Sequence, residues 1–273
     1  MKQIKFLVCL FLAASAQLNV TYAQAFEGSD GIPRNLEFDD VAGRPIPIAD
    51  HSNIVGTPFF KDNWAFGIIR LVNGSMFSDS TMNYSLYNDG LFLKRGSNLY
   101  PVNYPVKEFI MSYAVAGNTR TPYYFKSGFP AIENNNTSTF YQILFKGNTM
   151  MLLKREHKKV KEIFIYSGSV QREYVLQQEY FVYMPKDNKM IQLGIKLNLN
   201  MLRKNLPAFA LQLERYNSAH GSRIKTDGEL IDLFTYLDSE NVQLSFIVPS
   251  GDKKESPSVA PDKESISLNN VGA

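Results

Sequence analysis

Proton transfer near neutral pH calls first for histidine, and this chain has three, His51, His157 and His220. His51 follows Asp50 directly and becomes a base or a ligand only where the fold brings other groups to it. His157 lies in a basic run, and His220 follows a helical segment, where a cation favours the negative dipole end. No Gly-x-Ser-x-Gly elbow, His-Glu-x-x-His pair, phosphate-binding loop or dinucleotide glycine fingerprint occurs. Glycoside hydrolysis needs two carboxyl groups whose separation the fold sets; Asp39, Asp40, Asp62, Glu108 and Glu133 are the candidates. The single cysteine, Cys9, lies in an apolar run near the N-terminus. The residue types therefore assign no catalytic residue, no metal ligand and no cofactor.

Two stretches have the makings of a binding surface. The connection from Ala116 to Thr139 is long for a compact domain, and long loops tend to be functional or disordered. It carries Arg120, Tyr123, Tyr124, Phe125 and Phe129, then Asn134-Asn135-Asn136. Aromatic rings beside amides suit stacking on a sugar or burial in a protein partner; the same rings equally suit a core. The densest basic run is Lys154-Arg155-Glu156-His157-Lys158-Lys159-Val160-Lys161. It suits anionic lipid headgroups or phosphorylated glycans, or a solvated hairpin edge where lysines discourage edge pairing.

The elements that position these groups read as hairpins. Phe66–Val72 runs into Asn73-Gly74 and Met76–Phe77; Met82–Tyr87 runs into Asn88-Asp89-Gly90 and Leu91–Lys94. Asn-Gly and Asp-Gly tolerate the positive φ that tight hairpin turns require. Phe140–Phe145 turns at Lys146-Gly147-Asn148 into Met150–Lys154, and Tyr180–Met184 turns near Lys186-Asp187-Asn188 into Met190–Ile195. Near Leu199 the period changes. Leu199, Leu202, Leu206, Phe209, Leu213 and Tyr216 share one helix face, with Pro207 either in a first turn or at a kink between two short helices. Thr226-Asp227-Gly228-Glu229 has the spacing of a capping box ahead of the stripe Leu230, Leu233, Phe234 and Leu237. The fold class is α+β: an antiparallel meander or partly closed barrel over residues 55–197 with a helical pair at about 199–240.

The chain of 273 residues divides into an N-terminal segment 1–23, an extended lead-in 24–54, a single β-rich domain 55–248 and a tail 249–273. Val242–Val248 is either a last strand or the end of the ordered chain. The tail is rich in Ser, Lys, Glu, Asp and Pro and is expected to be disordered. Lys2 and Lys5 precede the apolar run Phe6–Ala14, and Thr21-Tyr22-Ala23 supplies small residues before Gln24: the layout of a secretory signal peptide. The run is too short to span a bilayer. Without Lys2 and Lys5, 27 of the 29 basic residues face 26 acids, which lacks the basic character of a nucleic-acid binder. The reading is an exported chain, periplasmic or extracellular, with no transmembrane segment once the signal is removed.

Gly56-Thr57-Pro58-Phe59-Phe60, Asp62, Trp64 and Gly67 come before a strand ending at Asn73-Gly74. Tyr84-Ser85-Leu86-Tyr87-Asn88 and Leu91 follow, then Ser127-Gly128-Phe129-Pro130, Phe140–Leu144, Leu152–Arg155 and Asp232–Tyr236. Over roughly residues 55–240 this series resembles a large group of uncharacterised exported proteins of Bacteroidetes bacteria. The resemblance implies a bacterial envelope setting and brings no catalytic residues. In that setting Asp79-Ser80-Thr81 is similar to an O-glycosylation acceptor, with Ser80 as the modified residue. The function expected is a non-enzymatic envelope module that binds an envelope protein or a surface glycan. The alternatives are a carboxylate-dependent envelope hydrolase and a carrier of a hydrophobic ligand, which would need a roomy apolar interior.

Overall fold

A computed structural model describes residues 36–47, 53–114, 120–165, 168–194, 198–221 and 224–247. The expected signal segment, the expected C-terminal tail and His51 lie outside the described residues. A short helix α1 (Phe38–Val41) is followed by β1 (Ile46–Pro47), β2 (Ile54–Val55), β3 (Ala65–Leu71), β4 (Met76–Ser85), β5 (Gly90–Arg95) and β6 (Asn98–Pro101). Next come β7 (Val106–Ala114), β8 (Arg120–Lys126), β9 (Tyr141–Lys146), β10 (Met151–Phe164), β11 (Val170–Met184) and β12 (Lys189–Gly194). Helices α2 (Leu199–Asn205), α3 (Ala210–His220) and α4 (Asp227–Ile247) close the series. The fold is α+β: a large, mostly antiparallel open sheet of 12 strands in the order β1-β6-β5-β4-β3-β7-β8-β9-β10-β11-β12, with β2 parallel to β11. Of the two expected forms, the sheet takes the open, meandering one.

The chain divides into two compact units. One takes the chain up to Gly128, with Thr137–Gln142 and Glu156–Gln177; the other takes Phe129–Asn136, Ile143–Arg155 and the chain from Gln178 onward.

In the first unit β4 is the strand that shapes the core. Sequence pattern suggests two short strands, Met76–Phe77 and Met82–Tyr87; one ten-residue strand runs through both. Its first part pairs with β3 (Ile68 with Ser78, Arg70 with Met76), and its last part with β5 (Asn83 with Phe92, Ser85 with Gly90). The register against β3 shifts between Ala65 and Gly67, a bulge that bends and twists the strand. The sheet folds over, so Tyr84, Leu91 and Leu93 share one core with Ile69, Phe109, Met111 and Phe125. Aromatic rings fill it: Phe109 stacks on Phe125 at 4.8 Å and meets Phe140 edge-on at 5.0 Å. Tyr84 lies 5.3 Å from Phe109 and 5.2 Å from Phe125. These side chains fill the first unit's core.

The turns follow from local chemistry. Gly74, with φ +85°, occupies the left-handed position after Asn73, whose Oδ1 accepts the Ser75 N–H at 3.0 Å. Asn83 is fully buried and donates to the carbonyls of Lys61 and Asn63 at 2.8 and 3.1 Å. It thereby pins the lead-in to β3.

In the second unit the helices bury the expected stripe. Leu199, Leu202, Leu206, Phe209 and Leu213 pack with Leu230, Leu233, Phe234 and Leu237 against Leu152, Val182 and Leu193 of the sheet and Met150 just before β10. Pro207 separates two helices, with a 3-10 turn at Pro207–Phe209. Asn198 caps α2 by accepting the Met201 N–H at 2.9 Å. The capping box forms: Thr226 Oγ1 accepts from Glu229 N at 3.2 Å, and Glu229 Oε2 accepts from Thr226 N at 3.0 Å. Residues 242–247, read as a possible strand, continue α4 instead. Leucine-rich sequence after a good cap propagates a helix once an apolar face is buried.

Candidate functional site: a cleft at the mouth of the folded sheet

Because β4 folds the first unit over, strand ends distant in sequence meet around a cleft of about 630 Å³. The turn after β4 brings Asp89, the β6–β7 connection brings Tyr104, and β7 and β8 bring Lys107 and Lys126. Thr137 and Ser138, ahead of β9, complete the polar lining, and Leu91, Val106 and Phe140 form apolar wall.

Several of these groups are held in place. Asp89 has φ +57°, a conformation in which Asp is enriched, and its Oδ1 accepts the Tyr84 hydroxyl hydrogen. Ser127 donates its hydroxyl to the Lys107 carbonyl at 3.0 Å, and the Ser127 N–H reaches the same oxygen at 3.0 Å. The Gly128 N–H donates to the Thr137 carbonyl at 2.7 Å. The β7–β8 end is therefore tied to the segment leading into β9. Tyr104 remains 48% exposed. Two lysines, an exposed tyrosine and hydroxyl-bearing residues line this one concavity, a set of residue types that suits a polar ligand carrying negative charge. The ring offers a stacking face, and the lysines offer point charges.

Lys126 lies opposite Glu108 in the β7–β8 ladder, yet Glu108 is engaged elsewhere. Glu108 Oε1 lies 3.3 Å from Arg70 Nη1, with both side chains buried, and Glu108 Oε2 accepts from Tyr124. A second carboxylate, Asp79, is similarly committed. Its Oδ1 accepts from Thr81 N and Thr81 Oγ1, each at 2.7 Å, and it is paired with Arg95. Burial pushes its carboxyl up, but the hydrogen bonds from Arg95 and Thr81 outweigh that and leave it below the usual value.

The residues expected to bind divide differently. Residues 120–126 are not loop but strand β8, so the long connection shortens to the segment after Lys126. The Tyr-Tyr-Phe run fits a pleated, half-buried surface, and cross-strand partners override its Pro122. Phe125 is 3% exposed, in the first unit's core, and Phe129 is 4% exposed, meeting Tyr183 edge-on at 5.1 Å in the second unit. Tyr123 is half-buried against Phe60 at 4.9 Å. Tyr124 is occupied by Glu108. Arg120 is exposed, with its guanidinium 5.5 Å from the Phe66 ring centre, and lines an apolar depression of about 310 Å³ with Phe66, Ile68, Ile110 and Ser112. None of the five lines the mouth cleft.

Ser80 lies in β4 at the register shift, with Asp79 and Thr81 hydrogen-bonded to each other. His157 meets Gln177 at 2.8 Å, and His220 stacks on Tyr216 at 4.4 Å. Asp39 and Asp40 belong to α1, Asp62 precedes β3 on the surface, and Glu133 sits exposed in a turn at φ +50°. Among the described residues no group of three or more His, Cys, Asp or Glu is placed to hold a metal ion. Among them, too, no helix is long and apolar enough to cross a membrane.

Sequence reasoning passed over Tyr104, Lys107 and Lys126. The one local signal was Tyr104-Pro105, an aromatic beside a proline between two strands, where no core is required. Comparison with known protein families, curated proteins and solved structures finds no match for this chain.

Proposed function

We propose that this chain is a non-enzymatic binding module of the bacterial envelope, exported by its N-terminal segment and holding an acidic surface glycan in the mouth cleft. The observation that carries the ligand assignment is that Lys107, Lys126 and the exposed Tyr104 all line one concavity of about 630 Å³. Sugar rings present apolar faces that stack on an aromatic side chain, and uronic acids add carboxylates that pair with ammonium groups. The three-part layout of residues 1–23 and the resemblance to exported Bacteroidetes proteins support the setting. The one acid on the described cleft lining, Asp89, already accepts the Tyr84 hydroxyl, an arrangement suited to holding a wall rather than to a two-carboxylate reaction.

Titration calorimetry with a uronic-acid oligosaccharide, and with a neutral oligosaccharide of equal length, tests this reading. Acidic sugar is expected to bind and neutral sugar to bind at least about tenfold more weakly, one charge contact being enough for that difference. Lys107→Gln/Lys126→Gln and Tyr104→Ala should each weaken the acidic sugar. Equal affinity of wild type and both variants would remove the cleft from the function.

A further inference from the structure

The long hairpin of β10 and β11 carries more than its place in the sheet requires. Its base is anchored in the first unit. The Lys158 N–H donates to the Leu86 carbonyl at 2.8 Å, and Lys158 Nζ donates to the carbonyls of Thr57 and Phe59 at 2.8 and 2.7 Å. On the return strand, Arg172 and Glu173 pair with Ile54 and Val55 of β2, and Tyr174 meets Tyr87 at 5.5 Å. Beyond these anchors the hairpin closes. The Ile165 N–H donates to the Ser169 carbonyl at 3.0 Å, and Gly168 adopts φ +73° to close the turn.

The far end of the arm is apolar and open. Phe164 is 81% exposed, Val170 49%, Ile165 41% and Ile163 38%. An exposed apolar cluster marks a surface suited to being covered. What lies behind it identifies the cover. Side chains two apart in a strand share a face, so Lys159 and Lys161 share one with Ile163. At about 3.3 Å per residue, Lys161 stands about 7 Å and Lys159 about 13 Å behind Ile163. Arg172 is also exposed here. Glu162 and Glu173 are the acids of this stretch, fewer than its cations. An apolar tip sinks about 5–10 Å into the boundary between headgroups and acyl chains, which puts both lysines at the level of lipid phosphates. A protein groove would need no such layering along the arm.

We infer that the tip of the β10–β11 hairpin, Ile163, Phe164, Ile165 and Val170, inserts into an anionic lipid surface, with Lys159, Lys161 and Arg172 pairing with the phosphates. Proximity to the membrane would then come from the arm, separately from the ligand held in the cleft. The two assignments stand or fall independently.

The full chain carrying Phe164→Trp tests this with vesicles of phosphatidylglycerol and phosphatidylcholine containing brominated acyl chains, wild type serving as the blank for Trp64. The position is open, so an indole fits without repacking. Anionic vesicles should quench and blue-shift the added emission. Lys159→Gln/Lys161→Gln in the same background should raise the lipid needed for half-maximal quenching about 30-fold, the combined contribution of two surface lysines. Because the signal reports residue 164 alone, insertion of any other segment leaves it unchanged. Absence of quenching overturns the inference, as does quenching that is equal in pure phosphatidylcholine and indifferent to the lysine changes. A wild-type dimer that Phe164→Ser converts to monomer, by light scattering, overturns it too, since the tip would then be a protein interface.

Discussion

Asp238 of α4 holds the second unit's helix to the turn between β9 and β10, and removing its carboxylate should loosen that unit more than any change of comparable size on its surface. The side chain is 5% exposed. Its Oδ2 accepts the Asn148 N–H at 2.8 Å, and its Oδ1 accepts the Thr149 N–H at 2.8 Å and the Thr149 hydroxyl at 2.6 Å. Gly147 lies beneath it, where a β-carbon would stand 2.4 Å from Asp238 Cγ. Asp238→Ala strands three donors. At about 1.5–3 kcal/mol for a bond to a charged acceptor, and with water entering the opened space, the net loss is about 3–4 kcal/mol. Asp238→Asn keeps one oxygen for both Thr149 donors but turns an amide nitrogen toward Asn148, a loss of about 1.5–2 kcal/mol.

The pH dependence has a definite sign. Burial pushes the Asp238 carboxyl up, but the hydrogen bonds from Thr149, Asn148 and Met150 outweigh it, so its pKa lies below the usual value. A folded-state pKa that is depressed contributes stability fully present above the unfolded carboxylate range. That stability is lost as pH falls through the folded value. Urea unfolding followed by helical circular dichroism reads this unit, since α2, α3 and α4 all belong to it. The gap between wild type and Asp238→Asn should be widest at neutral pH and shrink as the pH falls below about 4. An Asp238→Ala protein within about 0.5 kcal/mol of wild type, or a gap that widens in acid, would refute the reasoning.

Two further outcomes are expected in the first unit. Arg70 and Glu108 are a buried pair, so Arg70→Leu alone should cost about 3–5 kcal/mol, while Arg70→Leu/Glu108→Leu should recover most of it; equal losses in single and double variants by urea unfolding would contradict this. Gly67 faces Met82, fully buried, with a β-carbon only 1.8 Å from Met82 Cε. Gly67→Ala should therefore destabilise by about 1–3 kcal/mol through overpacking, visible as a lower melting temperature, and an unchanged one would show that Met82 has room to move.

Local chemistry made much of this protein legible from sequence. The stripe from Leu199 to Leu213, the break at Pro207 and the Thr226–Glu229 capping box are properties of a few adjacent residues, and they form as periodicity and capping require. The hairpin at Asn73-Gly74 is legible for the same reason: positive φ is a demand met by residue type. Asp79-Ser80-Thr81 looked like a gap between two strands, yet Asp79 bonding to Thr81 across a bulge carries one strand through it. The aromatic run in β8 was ambiguous because core and binding surface use the same rings. Which side of the sheet each ring faces is settled only by its cross-strand partners, which set Phe125 on Phe109 and Tyr124 on Glu108.

The candidate site belongs wholly to tertiary structure. Asp89, Tyr104 and Ser138 come from three separate connections, Lys107 and Lys126 from the strands β7 and β8, and they share no spacing. They meet because β4 pairs with β3 along one part and β5 along another, folding the sheet onto Phe109 and Phe125. Sequence by itself determined which segments extend, which coil and where they turn, because those depend on neighbours along the chain. Only the burial of a shared core decided which strand ends converge, because that free energy depends on apolar surfaces far apart in sequence closing on one another.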